Sequence, residues 1–226
     1  MFEIKVKIIT KSNCLIGNQT ESFSVGGVDQ ATTVDEKARP IIQGSAFKGA
    51  LRNIVREHGD EMPNTKNYVT VILQRLLEKY QRIPKIEENK KIKKMMENIK
   101  NYCENPKAEY IFGVEGLNNM PRLFCSDFCV IDKRNSEEYF AIETKNSLEE
   151  KEREIISRPR TYRIVRPGVI FEGRLRFQDP YFTQEKEDLD EVKKELIQAI
   201  KFFNSGFYGI GNSKSRGYGM IEVEIL

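Results

Sequence analysis

The sequence predicts an α+β fold from three observations. Met1 to Ile9 alternate apolar and charged or polar residues, which is typical of a strand with one buried face. Residues 45–59 repeat apolar side chains every three to four positions, which is typical of an amphipathic helix. A chain of 226 residues with 39% hydrophobic residues can bury one elaborated core, so we expect a single domain over residues 1–226.

The first half of the chain predicts a strand, a long loop and three helices. A polar, glycine-dotted loop extends from Thr10 to Gln43, and a helix follows from Ser45, a favourable N-cap, to about Gly59. Two further helices are predicted at residues 68–80 and 86–103, separated by a break at Pro84. We interpret residues 60–108 as a charged helical insertion, because its apolar core is too small to stand alone.

The second half predicts strands around a charged projection. The elements are, in order, a strand near Arg122–Asp132, a strand at Tyr139–Thr144, a thumb-like projection at residues 144–166, a strand at Val169–Phe177, a helix at about Thr183–Asn204 and a strand at Met220–Leu226. Poor periodicity indicates that the projection is a loop or a hairpin. The complete order is the ferredoxin-like pattern shared by RNA-recognition modules, with additions.

Composition argues against several classes of protein. The mean hydropathy of −0.54 indicates a very polar surface. No apolar run approaches the length of a membrane span, so we expect no membrane-spanning helix and no membrane partner. The first residues lack the apolar core of a signal peptide, so we expect a cytoplasmic protein. The net charge is only +3, so a surface for nucleic acid must come from local clustering of basic residues.

Cysteine and histidine do not form a recognisable site. Cys125 and Cys129 have a loose metal-ligand spacing, but no second pair or nearby histidine completes it. On one predicted strand both thiols would share a face, and we expect buried, reduced cysteines. His58 is the only histidine, so a histidine-based mechanism would depend on it alone.

The most informative segment is the glycine-rich loop, Phe207–Gly219, which precedes the last strand. Two Gly-x-Gly pairs flank a polar spacer that holds Lys214 and Arg216. Glycine permits close backbone approach, so amide groups and the two cations could hold a phosphodiester. The loop matches neither GxxxxGK[ST] nor a GxGxxG that opens a helix. A plain glycine-rich turn before a strand is the alternative.

A stripe of basic residues lies along one face of the first helix. Lys48, Arg52 and Arg56 recur every four residues on a face separate from the apolar one. Such a stripe is either a solvated helix face or a surface for anions.

Several motifs together resemble a known superfamily. Gly209-Ile210-Gly211-x5-Gly217-Tyr218-Gly219 before a strand resembles the signature of the RAMP proteins, the repeat-associated proteins of CRISPR systems. Residues 42–52 are similar to that superfamily's (I/P)-x-G-S-S-(L/F)-K-G-x-x-R segment. Gly26-Gly27-Val28-Asp29-Gln30 resembles the G-G-I-D-N/S loop of the backbone subunit of type III (Csm/Cmr) effector complexes. Residues 111–113 and 122–127 resemble its "LFG…RL…SD" stretch.

The resemblance implies a modified RNA-recognition fold with a β-hairpin thumb. Copies of such a subunit stack along a CRISPR RNA with other type III effector subunits, and cleave the paired target RNA at regular intervals. The loop aspartate of the family cleaves with a divalent metal, and Asp29 matches it, so Asp29 is the expected catalytic residue and ligand of Mg²⁺. The residues expected to bind RNA are Ser45, Lys48, Arg52, Gly211, Lys214, Arg216 and Gly217, with Arg158, Arg160 and Arg163 in the thumb.

Other functions remain open at the level of sequence. The chain is alternatively a structural or capping RAMP subunit that cuts nothing, with Asp29 as a turn former. A CRISPR-RNA processing endoribonuclease of the same superfamily would use a histidine base, for which His58 is the only candidate. A ferredoxin-like binding module unrelated to CRISPR is the last alternative.

Overall fold

The computed structural model describes residues 1–17, 28–82, 90–117, 122–151, 154–178 and 186–226. The helices in these ranges are α1 (Gly44–Glu57), α2 (Pro63–Gln81), α3 (Lys90–Glu104) and α4 (Lys186–Lys201). The strands are β1 (Phe2–Thr10), β2 (Gln30–Ala31), β3 (Ile41–Ile42), β4 (Arg122–Cys125), β5 (Phe128–Val130), β6 (Phe140–Lys151), β7 (Glu154–Val165), β8 (Ile170–Gln178) and β9 (Ile221–Ile225). The predicted α+β class is confirmed. No described helix has the length and apolar character needed to cross a membrane.

The strands form two sheets. The larger sheet has the strand order β3-β5-β8-β1-β9, and β4 also pairs with β8. In the smaller sheet, β6 and β7 form an antiparallel hairpin whose register runs from Phe140↔Val165 to Lys151↔Glu154. Strand β2 adds to β7 in parallel. The charged projection predicted at residues 144–166 is therefore part of a hairpin, whose first strand continues the strand predicted at Tyr139–Thr144.

Internal contacts divide the chain into two compact units. The first unit comprises Met1–Ile4, Leu51–Cys125 and Leu175–Ile200, and the second comprises Lys5–Ala50, Ser126–Arg174 and Lys201–Leu226. Helices α2 and α3 lie in the first unit and contact each other. The single domain over residues 1–226 and the insertion at 60–108 stay predictions.

Aromatic packing holds the beginning of α1 in the second unit. The ring centroid of Phe47 lies 4.6 Å from that of Phe128 and 5.3 Å from that of Phe203. Gly173 in β8 lies directly beneath the Phe128 ring, where an added Cβ would come within 2.6 Å of ring carbons. Glycine at position 173 is thus required by this packing.

The predicted strand near Arg122–Asp132 is wrong in one respect, because two strands occupy it. Between the pairs Cys125↔Leu175 and Cys129↔Glu172, one strand has one more residue than its partner, so the ladder contains a bulge. Burial of both thiols is also not found, since Cys125 is half-buried and Cys129 is exposed.

The bulge supplies the cap of α1. The helix begins at Gly44, so Ser45 lies inside the first turn rather than at the predicted N-cap. The Gly44 N–H donates to Asp127 Oδ1 at 2.8 Å. A carboxylate at a helix N-terminus also interacts favourably with the helix dipole.

Other boundaries differ more modestly. The long loop predicted from Thr10 to Gln43 contains β2 and β3, and the last helix ends at Lys201 before a short 3-10 turn, Phe202–Ser205. The predicted break at Pro84 and the glycines Gly26 and Gly27 lie outside the described residues.

Candidate functional site

The glycine-rich loop is held by close backbone contacts. Gly211 and Gly219 both have φ of +77°. An added Cβ at Gly211 would lie 2.3 Å from the Leu15 carbonyl oxygen, and one at Gly219 would lie 2.0 Å from the carbonyl oxygen of Ile210. Both positions therefore exclude a side chain on two separate grounds, the left-handed backbone and the lack of space.

Many amides of this loop are already used inside the protein. The residues whose N–H groups donate to protein carbonyls are Ile210, Asn212, Arg216, Gly217 and Gly219. These five amides are engaged within the protein, and RNA contact by Gly211 and Gly217 stays a prediction. At the tip, the side chains of Lys214, Ser215 and Arg216 are exposed, so the positive charge of the loop faces outward.

Asp29 lies beside the hairpin. Its N–H donates to the Thr161 carbonyl oxygen at 2.8 Å, and its Oδ2 accepts from the Thr161 N–H at 2.5 Å. These two bonds continue the parallel pairing of β2 with β7, in which Gln30 lies opposite Tyr162. Asp29 itself is exposed, so its carboxylate is fixed by the hairpin yet accessible to solvent.

The same level of the hairpin carries two hydroxyl groups. Thr144 in β6 lies opposite Thr161 in β7, and their Oγ1 atoms are 3.3 Å apart. The next pair towards the tip is Lys145 and Arg160, of which Arg160 is exposed. Arg160 directly precedes Thr161, the residue that holds Asp29. Arg158 lies opposite Ser147, and its side chain is outside the described part.

The glycine-rich loop also meets the base of the hairpin. The buried Tyr218 forms a hydrophobic cluster with Leu15 and Ile164. The Tyr218 hydroxyl donates to Glu143 in β6. Burial, reinforced by this hydrogen bond, raises the pKa of Tyr218, so the hydroxyl stays protonated and remains a donor.

Cys14 lies in the same part of the second unit, next to Leu15 of the Tyr218 cluster. Its N–H donates to the Val165 carbonyl oxygen at 2.9 Å. Burial raises the pKa of its thiol to about 12, so Cys14 is not a nucleophile at neutral pH.

The basic stripe of α1 is only partly exposed. Ser45 is exposed, whereas Lys48 is half-buried. In the first unit, Arg52 donates to the Gly113 carbonyl oxygen at 2.5 Å, and Arg56 Nε lies 2.5 Å from Glu109 Oε2. Arg52 and Arg56 therefore have structural partners, and the expectation that Arg52 contacts RNA stays a prediction.

His58 has an internal partner as well. Its Nδ1 lies 2.9 Å from Glu61 Oε1, just after the end of α1. His58 belongs to the first unit and Asp29 to the second, and a catalytic role for His58 stays an alternative prediction.

A divalent metal fits Asp29 only with help from its substrate. No group of three or more His, Cys, Asp and Glu in the described ranges is placed to hold a metal ion. Mg²⁺ commonly takes one or two protein carboxylates and completes its shell with substrate phosphates and water. One exposed carboxylate is compatible with that mode of binding.

Sequence reasoning missed the partners that hold the candidate residues in place. Thr161, Glu143 and Asp127 each contact a residue far away in the chain. Among these contacts, only that of Glu143 involves a residue with a local sequence signal. Its partner Tyr218 lies between two glycines of the glycine-rich loop.

Comparison with known proteins agrees with the motifs. The family model of the RAMP superfamily matches residues 7–222. No curated protein sequence matches the chain. Among solved structures, the chain resembles a type III-B Cmr-beta complex bound to cognate target RNA, with a TM-score of 0.58, 17% identity and coverage of 99% of this chain.

The chain spans only 60% of the length of that neighbour. A second neighbour, the apo state of type III-B Cmr-beta, has a TM-score of 0.54, 10% identity and coverage of 100% of this chain and 97% of its own. At such identities the likeness concerns the fold, and it confirms the predicted modified RNA-recognition fold. Because the family model spans nearly the whole chain, the protein belongs to the RAMP superfamily.

Proposed function

We propose that the protein is a CRISPR-RNA-binding backbone subunit of a type III effector complex and that it cleaves guide-paired target RNA at regular intervals. Its partners are then the CRISPR RNA, the target RNA, further copies of the chain and other effector subunits. Membership of the RAMP superfamily supports this proposal. The fold likeness to a Cmr-beta complex bound to cognate target RNA points the same way.

The observation that carries the catalytic part is the position of Asp29. The carboxylate is exposed, and the hairpin holds it through Oδ2 and the Thr161 N–H. A carboxylate beside the scissile phosphate can orient or activate the RNA 2′-hydroxyl for in-line attack. A bound divalent metal, for which Mg²⁺ is the natural choice, would stabilise the charge on the phosphate. Asp29 is the residue that would hold it.

Two exposed surfaces support binding of the RNA backbone. Lys214 and Arg216 at the tip of the glycine-rich loop supply positive charge without reading sequence. On α1, Ser45 and Gly49 are exposed, and a Cβ added at Gly49 would meet no described atom within 4 Å. A helical glycine without an internal reason is consistent with a ligand that approaches the backbone closely.

The test compares Asp29→Asn with the wild type in the assembled complex, using end-labelled target RNA with Mg²⁺ or with EDTA. Asparagine keeps an oxygen that can accept from Thr161 while it removes the charge. We expect single-turnover cleavage to fall by about a hundredfold or more, with unchanged capture of target RNA. Asp190→Asn in α4 removes the same charge from an exposed position and is the matched control.

Regular cleavage that persists in Asp29→Asn would show that the catalytic assignment is wrong. The second candidate, a non-catalytic structural or capping subunit, would then be favoured. One observation already suits that candidate, because the Asp29 carboxylate has a structural role as the acceptor for Thr161. EDTA without effect on cleavage would exclude the metal.

A further inference from the structure

The Glu143 carboxylate collects three side chains at the base of the hairpin. Its Oε1 accepts from Asn13 Nδ2 at 2.6 Å. Its Oε2 accepts from the Tyr218 hydroxyl and lies 3.9 Å from Lys145 Nζ. Asn13 follows β1, Tyr218 belongs to the glycine-rich loop and Lys145 is in β6. One side chain therefore ties together three segments that are distant in sequence.

The surroundings strengthen these contacts. Tyr218 is 8% exposed, and Lys145 Nζ lies 3.8 Å from the centroid of its ring. A hydrogen bond to a charged group is stronger than one between neutral groups. The Tyr218 end of this bond is buried, while the Glu143 side chain is 33% exposed. The Gly219 N–H also donates to the Asn13 carbonyl oxygen at 2.8 Å. The loop is thus attached to Asn13 through its backbone as well as through Glu143.

A short path of contacts connects Glu143 to Asp29. The next residue in β6, Thr144, lies opposite Thr161, and their hydroxyls are 3.3 Å apart. Thr161 in turn exchanges two hydrogen bonds with Asp29. The hairpin therefore carries the candidate catalytic carboxylate on one edge and is fixed to the glycine-rich loop through the other strand.

We infer that Glu143 is a positioning residue, which sets the place of Asp29 relative to the cations at the tip of the glycine-rich loop. This inference rests on the proposed function, in which the loop holds the RNA backbone and Asp29 acts on a phosphate. A displacement of about 1 Å at a reacting group can reduce a rate by about a hundredfold. The contacts of Glu143 with Tyr218 and Asn13 would therefore increase the rate by keeping the distance between the glycine-rich loop and the Asp29 carboxylate fixed.

The test uses two variants that weaken the contact between Glu143 and Tyr218 in different ways. Tyr218→Phe removes only the hydroxyl and leaves the ring against Leu15 and Lys145. Glu143→Gln keeps the length of the side chain but removes its charge. Tyr80→Phe in α2 is the matched control, because it removes a tyrosine hydroxyl in the first unit.

Two readouts separate positioning from stability. In the purified chain, hydrogen exchange is measured at the amides of Asp29 and Thr161. In the assembled complex, the dissociation constant for target RNA and the single-turnover cleavage rate are measured. We expect faster exchange at both amides, a dissociation constant within about twofold of wild type, and a cleavage rate lower by about tenfold, as fits the loss of one hydrogen bond to a charged group.

Wild-type exchange at both amides in both variants would overturn the inference, whether or not the complex cuts RNA. Parallel loss of RNA binding and cleavage would also overturn it, because Glu143 would then only stabilise the loop. A wild-type complex that never cuts RNA, with faster exchange in the variants, would instead refute the proposed function and leave Glu143 as the link between hairpin and loop. If Tyr218→Phe does not fold, Glu143→Gln carries the same comparison.

Discussion

Two glycines in the two RAMP-like motifs have opposite surroundings. An added Cβ at Gly219, in the glycine-rich loop, would lie 2.0 Å from the carbonyl oxygen of Ile210, whereas one at Gly49, in α1, would meet no described atom within 4 Å. Gly219 also has a φ of +77°, while Gly49 lies inside a regular helix. Packing and backbone conformation thus require glycine at position 219, and neither requires it at position 49.

The difference separates two meanings of a glycine motif. A glycine that the fold requires is no evidence for a ligand. In the glycine-rich loop, only the exposed Lys214 and Arg216 support RNA binding. Glycine inside a helix is less stable than alanine by about 1 kcal/mol. A position that accepts this loss without a reason among the described residues is compatible with the RNA contact proposed above. On this argument α1 is the more informative of the two motifs.

The largest effect is expected for Gly219→Ala. The left-handed backbone costs about 1–2 kcal/mol for a residue with a Cβ, and the collision with Ile210 adds about 1–3 kcal/mol. We expect the free energy of unfolding, measured by urea denaturation, to fall by roughly 2–5 kcal/mol from these two causes together.

The matched control for this experiment is Gly217→Ala. Gly217 has a similar φ, +82°, but an added Cβ would meet no described atom within 4 Å. We expect a loss of only about 1–2 kcal/mol. Equal losses at both positions would contradict the packing explanation and reduce the contrast with Gly49.

A second prediction concerns the cations of the loop. Lys214→Ala combined with Arg216→Ala removes the charge at the tip while every glycine contact remains. Each phosphate contact contributes about 0.7 to the slope of log affinity against log salt concentration for single-stranded RNA. We expect RNA affinity, measured by fluorescence anisotropy, to fall by about tenfold and the slope to become shallower by about 1.4 for the two contacts.

The exposed pair Lys79 and Arg82 provides the control for that variant, because their replacement by alanine removes the same charges from the first unit. If this control changes the slope as much as the loop variant, the effect is one of net charge. The glycine-rich loop would then be a structural turn.

Sequence patterns predicted the elements whose apolar periodicity is strong. The spacing of Phe47, Leu51, Ile54 and Val55 indicated α1, and all four are buried. The alternation along β1 likewise indicated a half-buried strand, as found. The hairpin could be recognised only as a charged projection, because polar residues occupy most positions of β6 and β7 and give little alternation to read.

The candidate site was predictable only in its exposed parts. Asp29, Lys214 and Arg216 were found through motifs, since the loops that carry them have distinctive local sequences. The hydrogen-bond partners in this part of the structure were not predicted. Thr161 is 132 residues away from Asp29, and Glu143 is 75 residues away from Tyr218. Local sequence contains no signal for such pairs. The cap of α1 by Asp127, 83 residues from Gly44, was missed for the same reason.

The smallest and most discriminating prediction is Gly49→Ala. Because Gly49 is exposed in a helix and an added Cβ has space, we expect the free energy of unfolding to rise by about 0.5–1 kcal/mol. If RNA approaches this face of α1, the same methyl group should weaken RNA binding, by about threefold to tenfold for a close contact. A gain in stability together with a loss of affinity would distinguish a ligand-facing glycine from a neutral one. Asn53→Ala, four residues further along the exposed face of α1, serves as the control. Greater stability with unchanged affinity would mean that no RNA lies against Gly49. The glycine of α1 would then be no better evidence for RNA binding than the glycines of the glycine-rich loop.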